Sequence, residues 1–317
     1  MILLIGALSD SNIAYLIHRL MEAKAKFALL DPRQHGLGFQ LEWETSGTAI
    51  AGRLRYAGRV TPLAEVRSAY VHNLSETRAA VGGRRDLRPG GGADLASTES
   101  LPAGESSWML HQFLETTSAL VCNRPSAEAT NYSKTWQQQA IGAHGFRVPR
   151  TLVTNVPAEA RRFYQECRQR VIYKSLSARR SIVRRLTAAD LKRLDRVRAC
   201  PTQFQEWVPG VDVRVHVIGR RLFPTEIITD ATDYRYSARD GLPRAMRSAE
   251  LPAEVGARCL ALVASLGFVT AGVDLRRHLD GGYYCLEVNP RPNFMFYQQY
   301  TGQRIGDALV DTLLHRA

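Results

Sequence analysis

The sequence predicts a mixed α/β (α+β) protein, in which an N-terminal α/β lobe is followed by two lobes with antiparallel sheets. The first third of the chain alternates short apolar strands with an amphipathic helix, which is typical of an α/β unit. The last third contains long alternating apolar and polar runs and one tight hairpin, which favour antiparallel strands. At 317 residues the chain is long enough for two or three lobes, because single cores stop growing at about 250 to 300 residues.

Residues 1–121 are predicted to form the N-terminal lobe. Apolar runs at 2–6 and 26–30 indicate two buried strands, and the pattern between them predicts a helix over 11–24. No GxGxxG motif follows the first strand, so a dinucleotide-binding function is not favoured. Residues 76–107 are rich in Gly, Pro and Ser, and we expect a mobile loop there; an ordered loop over the active site is the alternative.

The rest of the chain is predicted to form a central lobe over 122–204 and a C-terminal lobe over 205–317. Asn131 and Ser133 suit the N-cap of a helix that ends at Gly145. Further helices are predicted over 157–167, 188–197, 253–266 and 302–314. Long strands that alternate apolar with polar residues dominate the C-terminal lobe, which is typical of an antiparallel sheet with one buried face.

The composition is that of a soluble globular protein, with 45% hydrophobic and 23% charged residues. No run approaches the roughly 18 apolar residues of a membrane span, and the start of the chain lacks the basic region and cleavage site of a signal peptide. We therefore expect a cytoplasmic protein without a membrane partner. The five cysteines are scattered and show no CxxC spacing, which argues against a disulfide framework and a zinc cluster.

The formal net charge of +12 indicates an anionic partner. Charge alone does not choose among a nucleotide, an acidic peptide and a nucleic acid, and each arginine pair can equally belong to a solvated surface. The aromatic residues are not interleaved with the basic pairs, and no helix-turn-helix, RRM or KH motif occurs in the sequence. These observations argue against a nucleic-acid partner.

A tight hairpin is predicted around Asp-Gly at 280–281, the dipeptide typical of a two-residue type I′ turn. In that register Asp274 and Glu287 are direct cross-strand neighbours, and Asn289 lies on the same face, opposite Gly272. Two facing carboxylates repel each other unless a cation lies between them. Mg²⁺ prefers such oxygen ligands, so we predict a metal site here. A solvated surface hairpin is the alternative, and the apolar flanking residues argue against it.

This metal motif is the last of four ordered motifs that together resemble the ATP-grasp superfamily. It lies in the stretch GVDLRRHLDGGYYCLEVNPRP. Upstream, FQEWVPGVDVRVHVIG resembles the hinge and ribose-binding strand of that superfamily, and Lys134 in SKTWQQQ and Lys174 in VIYKSL stand where its two phosphate-binding lysines are found. The resemblance covers about residues 122–317. It implies an ATP-grasp fold in which two antiparallel-sheet lobes hold ATP, with Mg²⁺, as two ions, bound by Asp274, Glu287 and Asn289.

The resemblance also implies how the nucleoside would be bound. Backbone groups of Glu206 and Val208 would read the adenine edge. Trp207 would pack nearby, and a purely structural core position is the alternative for this side chain. Asp212 stands where the superfamily holds the ribose hydroxyls.

Lys134 and Lys174 would act as point charges on the phosphates. Lys174 lies in an apolar strand, where a lysine is costly without an anion, whereas for Lys134 a solvated side chain is the alternative. Members of the superfamily cover the phosphates with a glycine-rich loop, but the corresponding stretch SLSARRSIV contains no glycine. Its hydroxyl, amide and guanidinium groups are predicted to take over that task through Ser177, Arg180 and Ser181.

Two arginines are predicted to be catalytic. Arg214 lies on the same strand face as Asp212, where its guanidinium could hold the γ-phosphate or an acyl phosphate. Arg291 follows the metal strand directly and could bind a substrate carboxylate or phosphate with two hydrogen bonds. A structural ion pair is the alternative for each. We interpret His216, on the face of Arg214, as a sheet residue rather than a catalytic base.

The activity that the resemblance implies is that of an ATP-dependent carboxylate ligase, which forms an acyl phosphate and then an amide or an ester. The sequence most resembles the RimK-like branch and relatives that modify ribosomally made peptides, including macrocyclases, in RPSAEATNYSK, VPRTLVTN and DATDYRYS. A ligase for a small amino acid or dipeptide is the alternative within the class. A catalytically silent protein that binds ATP, peptide or nucleic acid is the alternative from another class, and a homo-oligomer stays open.

Overall fold

The computed structural model of the protein describes residues 1–31, 38–72, 100–176, 183–239 and 241–315. The strands in these ranges are β1 Ile2–Ile5, β2 Phe27–Leu30, β3 Phe39–Ser46, β4 Ala49–Tyr56, β5 Arg59–Pro62, β6 Ser68–Val71, β7 Leu120–Cys122, β8 Thr151–Thr154, β9 Val171–Lys174, β10 Arg184–Arg185, β11 Thr202–Glu206, β12 Gly210–Ile218, β13 Arg221–Ile228, β14 Ala245–Ser248, β15 Thr270–His278 and β16 Tyr283–Asn289. The α-helices are α1 Ser11–Glu22, α2 Ser100–Thr116, α3 Pro125–Glu128, α4 Lys134–Ala143, α5 Pro157–Glu166, α6 Ala188–Leu191, α7 Ala253–Ser265, α8 Met295–Thr301 and α9 Ile305–His315. The predicted mixed α/β class is confirmed. In the part of the chain that the structure describes, no helix has the length and apolar character needed to cross a bilayer.

The N-terminal part contains a parallel sheet with the strand order β2-β1-β6-β7 and an antiparallel sheet of β3, β4 and β5. Helix α1 begins after Asp10, whose side chain accepts hydrogen bonds from two backbone N–H groups of the first turn. Ile13, Leu16 and Leu20 recur at helical spacing and are fully buried in the core that includes β1. The amphipathic helix and the apolar strands therefore form the predicted α/β unit.

The loop predicted over 76–107 is wrong at its C-terminal end, because residues 100–107 form the beginning of α2. Pro102 falls in the first turn of this helix. A proline is tolerated there because the N–H that it lacks would have no intrahelical partner. Residues 76–99 of the predicted loop lie outside the described residues.

The central sheet is antiparallel and has the strand order β10-β9-β11-β8. The single helix predicted over 188–197 is wrong: α6 ends at Leu191, and a 3₁₀ helix follows at Leu194–Arg198. The apolar residues Leu191, Leu194 and Val197 are spaced three apart, which suits a 3₁₀ helix. Leu194 and Val197 are buried in the core of this sheet.

The C-terminal sheet is antiparallel and has the order β14-β13-β12-β15-β16. Helix α7 covers one face, where Val213, Val215 and Val217 of β12 are buried in a shared core. Side chains alternate along a strand, so Asp212 and Arg214 lie on the opposite face of the sheet. The alternation in the sequence thus separates the core of this sheet from its polar face.

The last helix predicted over 302–314 begins later and has a short helix before it. Helix α8 ends at Thr301, and the next residue, Gly302, takes the left-handed φ of +69° that stops the helix. Helix α9 then runs over Ile305–His315. Gly302 therefore separates two helices and does not start the second one.

A buried asparagine joins the N-terminal sheet to the end of β16. The amide nitrogen of Asn123 donates to the carbonyl oxygens of Thr270 (2.8 Å) and Pro290 (2.6 Å). Its amide oxygen accepts the N–H groups of Val269 and Thr270. All hydrogen-bonding groups of this side chain are thus used across the junction. The lobe boundaries predicted after residues 121 and 204 stay a prediction.

Candidate active site

The hairpin of β15 and β16 brings the predicted metal ligands together, but its turn differs from the predicted two-residue turn. Three residues separate His278 from Gly282, whose carbonyl oxygen accepts the N–H of His278 (2.8 Å). Gly281 donates its N–H to the His278 carbonyl oxygen and takes a left-handed φ of +84°. A three-residue loop with glycine in this conformation is a common hairpin connection. The two-residue type I′ turn predicted at 280–281 is therefore wrong.

A β-bulge restores the predicted register at the carboxylates. Next to the turn, Leu275 pairs with Cys285, one residue away from the predicted partner. Leu286 is then the extra residue on β16, because the next pair is Asp274 and Glu287. The bulge turns Cys285 into the core beneath α7 and leaves Leu286 in the lining of the cavity. The three-residue loop shifts the register by one residue, and the bulge shifts it back by one. The two predicted ligands therefore face each other as expected.

Asn289 connects the two carboxylates through its side-chain amide. Its nitrogen donates to Oδ2 of Asp274 (2.9 Å) and to Oε1 of Glu287 (3.1 Å). Gly272 is its cross-strand partner, as predicted. The three predicted metal ligands therefore lie side by side on one face of the hairpin.

Helix α4 holds the outer strand of this hairpin in place. The side chain of Gln137 accepts the N–H of Val288 (2.9 Å) and donates to its carbonyl oxygen (2.8 Å). It thus makes the backbone hydrogen bonds that a neighbouring strand would make at this edge. Ser133 caps the helix as predicted, by accepting the N–H of the third residue after it. Lys134 begins the helix, and its Nζ lies 3.8 Å from Oε2 of Glu287.

The two lysines control the charge of Glu287. Burial alone would raise the pKa of this carboxyl, but the charges of Lys174 and Lys134 lower its pKa to about 2. Lys174 is buried at the end of β9, and burial lowers the pKa of its ammonium group to about 8, although the Glu287 charge opposes this change. The site thus contains a firmly ionised carboxylate beside a lysine that titrates near physiological pH.

The neighbouring carboxyl behaves differently. Burial, reinforced by the charge of Glu287, raises the pKa of Asp274 to about 6, although Arg214 opposes this rise with an ion pair of 2.7 Å. The guanidinium of Arg214 lies across the backbone of Gly272. A Cβ atom at position 272 would come within 2.0 Å of Nη2 of Arg214. A glycine is therefore required opposite Asn289 for Arg214 to reach Asp274.

The donor set suits a hard divalent cation. Asp274 and Glu287 supply carboxylate oxygens, and rotation of the Asn289 amide would direct its oxygen at the same point. Among the described residues, no group of three or more His, Cys, Asp or Glu side chains is arranged to hold a metal ion. The site consequently depends on the Asn289 amide for its third protein donor. The role of these three residues as ligands stays a prediction.

A cavity of about 600 Å³ lies over this face of the sheet. Its lining includes all of the predicted site residues that the structure describes, namely Lys134, Lys174, Glu206, Trp207, Val208, Asp212, Arg214, Asp274, Glu287, Asn289 and Arg291. Ser177, Arg180 and Ser181 lie outside the described residues.

The predicted hinge lies where the central sheet meets the C-terminal sheet. The N–H of Glu206 is bonded to the Arg150 carbonyl oxygen, and the Val208 carbonyl oxygen accepts a hydrogen bond from Arg276 (3.0 Å). These two groups are already used, so reading of a base edge would fall to the Glu206 carbonyl and the Val208 N–H. The indole of Trp207 is stacked by the guanidinium of Arg185 at 3.9 Å. Trp207 is thus a wall of the cavity, held from the side of the central sheet.

Asp212 has a buried partner that the sequence analysis did not assign. Both of its carboxylate oxygens accept hydrogen bonds from Arg276, at 2.8 Å and 2.7 Å. The two residues are direct neighbours on β12 and β15. A ribose hydroxyl would have to use the remaining lone pairs of this carboxylate, so the ribose role stays a prediction.

Arg291 forms the structural ion pair that the sequence analysis kept as its alternative. Its guanidinium meets the carboxylate of Glu128 with two hydrogen bonds, one of them 2.6 Å from Nε to Oε1. Burial raises the pKa of Glu128, and Arg291 opposes that rise. Arg214 is likewise engaged, with Asp274. In this structure, neither arginine presents an unpaired fork to a substrate carboxylate.

His216 is fully buried, as expected of a sheet residue. Its Nε2 lies 3.3 Å from the Asn293 carbonyl oxygen, and its ring contacts the edge of Tyr297 with a centroid distance of 4.6 Å. Burial and the Arg214 charge lower its pKa well below the usual value. The neutral ring packs behind Arg214 and is absent from the cavity lining.

The sequence analysis missed one wall of the cavity. Tyr234 and Tyr297 share a hydrogen bond of 2.8 Å between their hydroxyl groups, and the Tyr234 hydroxyl lies 3.5 Å from Oδ1 of Asp274. Arg235, Arg244 and Phe296 complete this wall. Most of them come from a stretch without strand or helix periodicity, and the cluster DYRYSAR was the available indication in the sequence.

Comparisons with known proteins support the architecture. No protein-family profile matches the sequence. Beta-citrylglutamate synthase B of Danio rerio is 26% identical over 212 residues, which are 63% of this chain and 52% of that protein. The chain thus spans about half the length of this curated relative.

Two solved structures match over nearly the whole chain. One is macrocyclase MdnC of Microcystis aeruginosa MRC bound with precursor peptide MdnA, with a TM-score of 0.79, 20% identity and 100% of both chains covered. The other is the ATP-grasp ligase PsnB complexed with a phosphomimetic variant of its minimal precursor, Mg and ADP, with a TM-score of 0.78, 26% identity and 99% of this chain and 97% of that chain covered. Together with the facing carboxylates and the two lysines, these matches confirm the predicted relationship: the chain is a member of the ATP-grasp superfamily.

Proposed function

We propose that the protein is an ATP-dependent carboxylate ligase that acts on a ribosomally made peptide. The observation that supports this most is the pair Asp274 and Glu287, which face each other beside Lys134 and Lys174 in one cavity. Such a concentration of charge is stable when divalent cations and phosphates complete it.

In the proposed complex, different residues of the cavity would bind the cations, the phosphates and the base of ATP. Asp274, Glu287 and Asn289 would hold the cations, of which we propose two, and Lys134 and Lys174 would contact the phosphates. When bound, the cations neutralise the charge that develops on the transferred phosphoryl group. The base would lie at the hinge of Glu206 to Val208. The loop with Ser177, Arg180 and Ser181 would cover the phosphates.

The residues of the chain position the reactants. An oxygen of the acceptor carboxylate attacks the γ-phosphorus, the bond to the β-phosphate oxygen breaks, and ADP leaves with the bonding electron pair. An amine or hydroxyl group then attacks the carbonyl carbon of the acyl phosphate, and inorganic phosphate leaves as the amide or ester forms. Arg214, held by Asp274 at 2.7 Å, lies where it can stabilise the negative charge of the transferred group. Positioning and charge stabilisation suffice, so no general base is required.

Two observations favour a peptide as the acceptor. The MdnC and PsnB structures contain precursor peptides. The net charge of +12 suits a peptide rich in Asp and Glu. A protein that uses ATP in this way belongs in the cytoplasm, which is where we place it.

A ligase for a small amino acid is the second candidate. It is favoured by the 26% sequence identity between this chain and the Danio rerio synthase over 212 residues. The two candidates differ in the size of the acceptor, and one assay separates them.

The experiment incubates the protein with Mg-ATP and either peptides encoded near its gene or single amino acids, and it measures ADP release and the intact mass of the product. Peptide-dependent ADP release with loss of water from the peptide supports a peptide cyclase. Release that requires a free amino acid supports the second candidate. If neither the peptides nor the amino acids cause ADP release, and all masses stay unchanged, both candidate functions are rejected.

A further inference from the structure

One arginine in the cavity has no acidic partner. Arg244 lines the cavity next to Tyr234 and Phe296, both of which it contacts. The arginine and aspartate or glutamate pairs of the lining are Arg214 with Asp274, Arg235 with Asp233, Arg276 with Asp212 and Arg291 with Glu128. Lys134 and Lys174 share the charge of Glu287. Across the described ranges, Arg244 forms no ion pair.

The guanidinium of Arg244 is nevertheless held firmly. It lies over the ring of Phe296 at 4.6 Å and near the ring of Tyr300 at 5.8 Å. Its Nη1 donates to the carbonyl oxygen of Tyr234 (2.9 Å). Its Nε is buried and has no hydrogen-bond partner among the described residues. The group is therefore oriented before any ligand binds.

A cation in this position is costly without an anion. A buried donor that lacks a partner loses its hydration without compensation, and stacking on aromatic rings returns part of that loss. The planar fork of an arginine matches a carboxylate with two parallel hydrogen bonds. Arg214 and Arg291, which the sequence suggested for anion binding, already meet Asp274 and Glu128. Arg244 is the arginine of the lining that can take a substrate carboxylate without breaking an ion pair.

The position of Arg244 relative to the carboxylate pair supports an acceptor rather than a nucleotide. Tyr234 anchors Arg244 through its carbonyl oxygen, and its hydroxyl reaches to 3.5 Å from Oδ1 of Asp274. One residue thus spans the distance between Arg244 and the metal-binding face. Lys134 and Lys174 neighbour Glu287. Under the proposed function these two lysines contact the phosphates, which leaves Arg244 for the acceptor.

We propose that Arg244 is a specificity-determining residue that binds the carboxylate of an acidic peptide side chain with two hydrogen bonds on the bed formed by Phe296 and Tyr300. This inference rests on the proposed function. It names a residue for the acceptor and selects peptides with acidic side chains over their amide counterparts.

The test uses fluorescein-labelled N-acetyl tetraglutamate as the probe, with binding followed by fluorescence anisotropy in the presence of Mg²⁺ and AMP-PNP. Arg244→Met is expected to weaken probe binding roughly tenfold or more, since the hydrogen bonds between two charged groups are lost. The probe affinity of Arg244→Lys is expected to lie between those of the wild type and Arg244→Met, because an ammonium group keeps the charge but not the planar fork. A tetraglutamine probe should bind weakly and equally to all of them.

Arg239→Met is the matched control. It removes the same charge from the same segment, where Arg239 stacks on Tyr236 at 4.8 Å and is absent from the cavity lining. Its affinity for tetraglutamate should stay within about twofold of the wild type, since an exposed charge contributes little. AMP-PNP affinity, measured separately, should be the same for both variants.

Equal affinities of Arg244→Met and Arg239→Met for tetraglutamate would overturn the inference, as would a wild-type protein that does not distinguish tetraglutamate from tetraglutamine. Neither result touches the nucleotide chemistry, which the ADP-release assay tests on its own. If Arg244→Met also loses AMP-PNP, Phe296→Leu replaces it, because this change keeps the guanidinium but removes its bed. Weaker probe binding by Phe296→Leu with normal AMP-PNP affinity supports the inference, and unchanged probe binding overturns it.

Discussion

Asp274 and Glu287 face each other on β15 and β16 and share one amide donor, yet their pKa values move in opposite directions. The two lysines lower the pKa of Glu287 to about 2, whereas burial raises that of Asp274 to about 6. At neutral pH both carboxylates are ionised, and Asp274 is close to the pH at which it takes up a proton. The negative charge needed to bind a metal ion is thus present, and the positive charges of the two lysines and Arg214 stabilise it.

Replacement of Lys174 by methionine should weaken the binding of Mg-AMP-PNP at pH 7 by roughly tenfold or more, because a charged contact to the phosphates is lost. The wild-type affinity should fall as the pH rises above about 8, where the free protein loses this proton. The difference between the two proteins should therefore shrink at high pH. Isothermal titration from pH 6.5 to 9.5 measures it, and a difference that stays constant over this range would contradict the role.

The same residue should affect folding stability with the opposite sign. Lys174 titrates near 8 in the folded protein and near ~10.4 in an unfolded chain. Between these values the unfolded state binds more protons, so the contribution of Lys174 to the free energy of unfolding rises with pH. Denaturant unfolding of the wild type and of Lys174→Met at pH 7.5 and 9.5 isolates this contribution. A wild-type advantage that decreases with rising pH would show that the pKa of Lys174 is not lowered.

Gln137 is predicted to fix the metal strand. Gln137→Leu removes both hydrogen bonds to Val288 and leaves buried backbone groups without partners, at a cost of about 1–3 kcal/mol in the free energy of unfolding. Exchange of the Val288 amide proton should accelerate. Gln138→Leu is the control, because among the described residues that side chain bonds the hydroxyl of Thr151 and no backbone group. Equal losses of stability in the two variants would argue against a special role for Gln137.

The buried pair of Asp212 and Arg276 should be much more sensitive to loss of one partner than to loss of both. Arg276→Met leaves the Asp212 carboxylate buried and unpaired, so we expect the free energy of unfolding to fall by about 3–5 kcal/mol. The double variant with Asp212→Leu should recover much of this loss. Denaturant unfolding measures both. A double variant that is less stable than Arg276→Met would show that the pair itself stabilises the sheet.

The sequence predicted the cross-strand pair of the site for a reason that was only half right. Asp-Gly at 280–281 did indicate a hairpin, but the three-residue loop shifts the register by one, and the bulge at Leu286 shifts it back. Residue alternation could not locate that bulge, because a single extra residue leaves no repeating pattern. The predicted pairing of Asp274 with Glu287 was correct because these two offsets cancel.

Other features depend on partners that are distant in the sequence. Arg276 and Asp212 are 64 residues apart, and Arg291 and Glu128 are 163 apart, so the ion pairs arise from the order of the strands and the packing of α3. The wall with Tyr234 and Arg244 comes from a stretch without periodicity, which the hydrophobic pattern does not describe. Sequence reasoning therefore found the residues that lie in recognisable motifs and missed Tyr234 and Arg244, which lie between them.

The claim on which the others depend is that the Asp274 and Glu287 carboxylates bind divalent cations together with a nucleoside triphosphate. Titration of Mn²⁺, followed by electron paramagnetic resonance in the presence of saturating AMP-PNP, counts the bound ions. The wild type is expected to bind two ions, and Glu287→Gln, which keeps the shape of the side chain, is expected to lose at least one of them. Equal numbers of ions bound with equal affinity by both proteins would contradict the account.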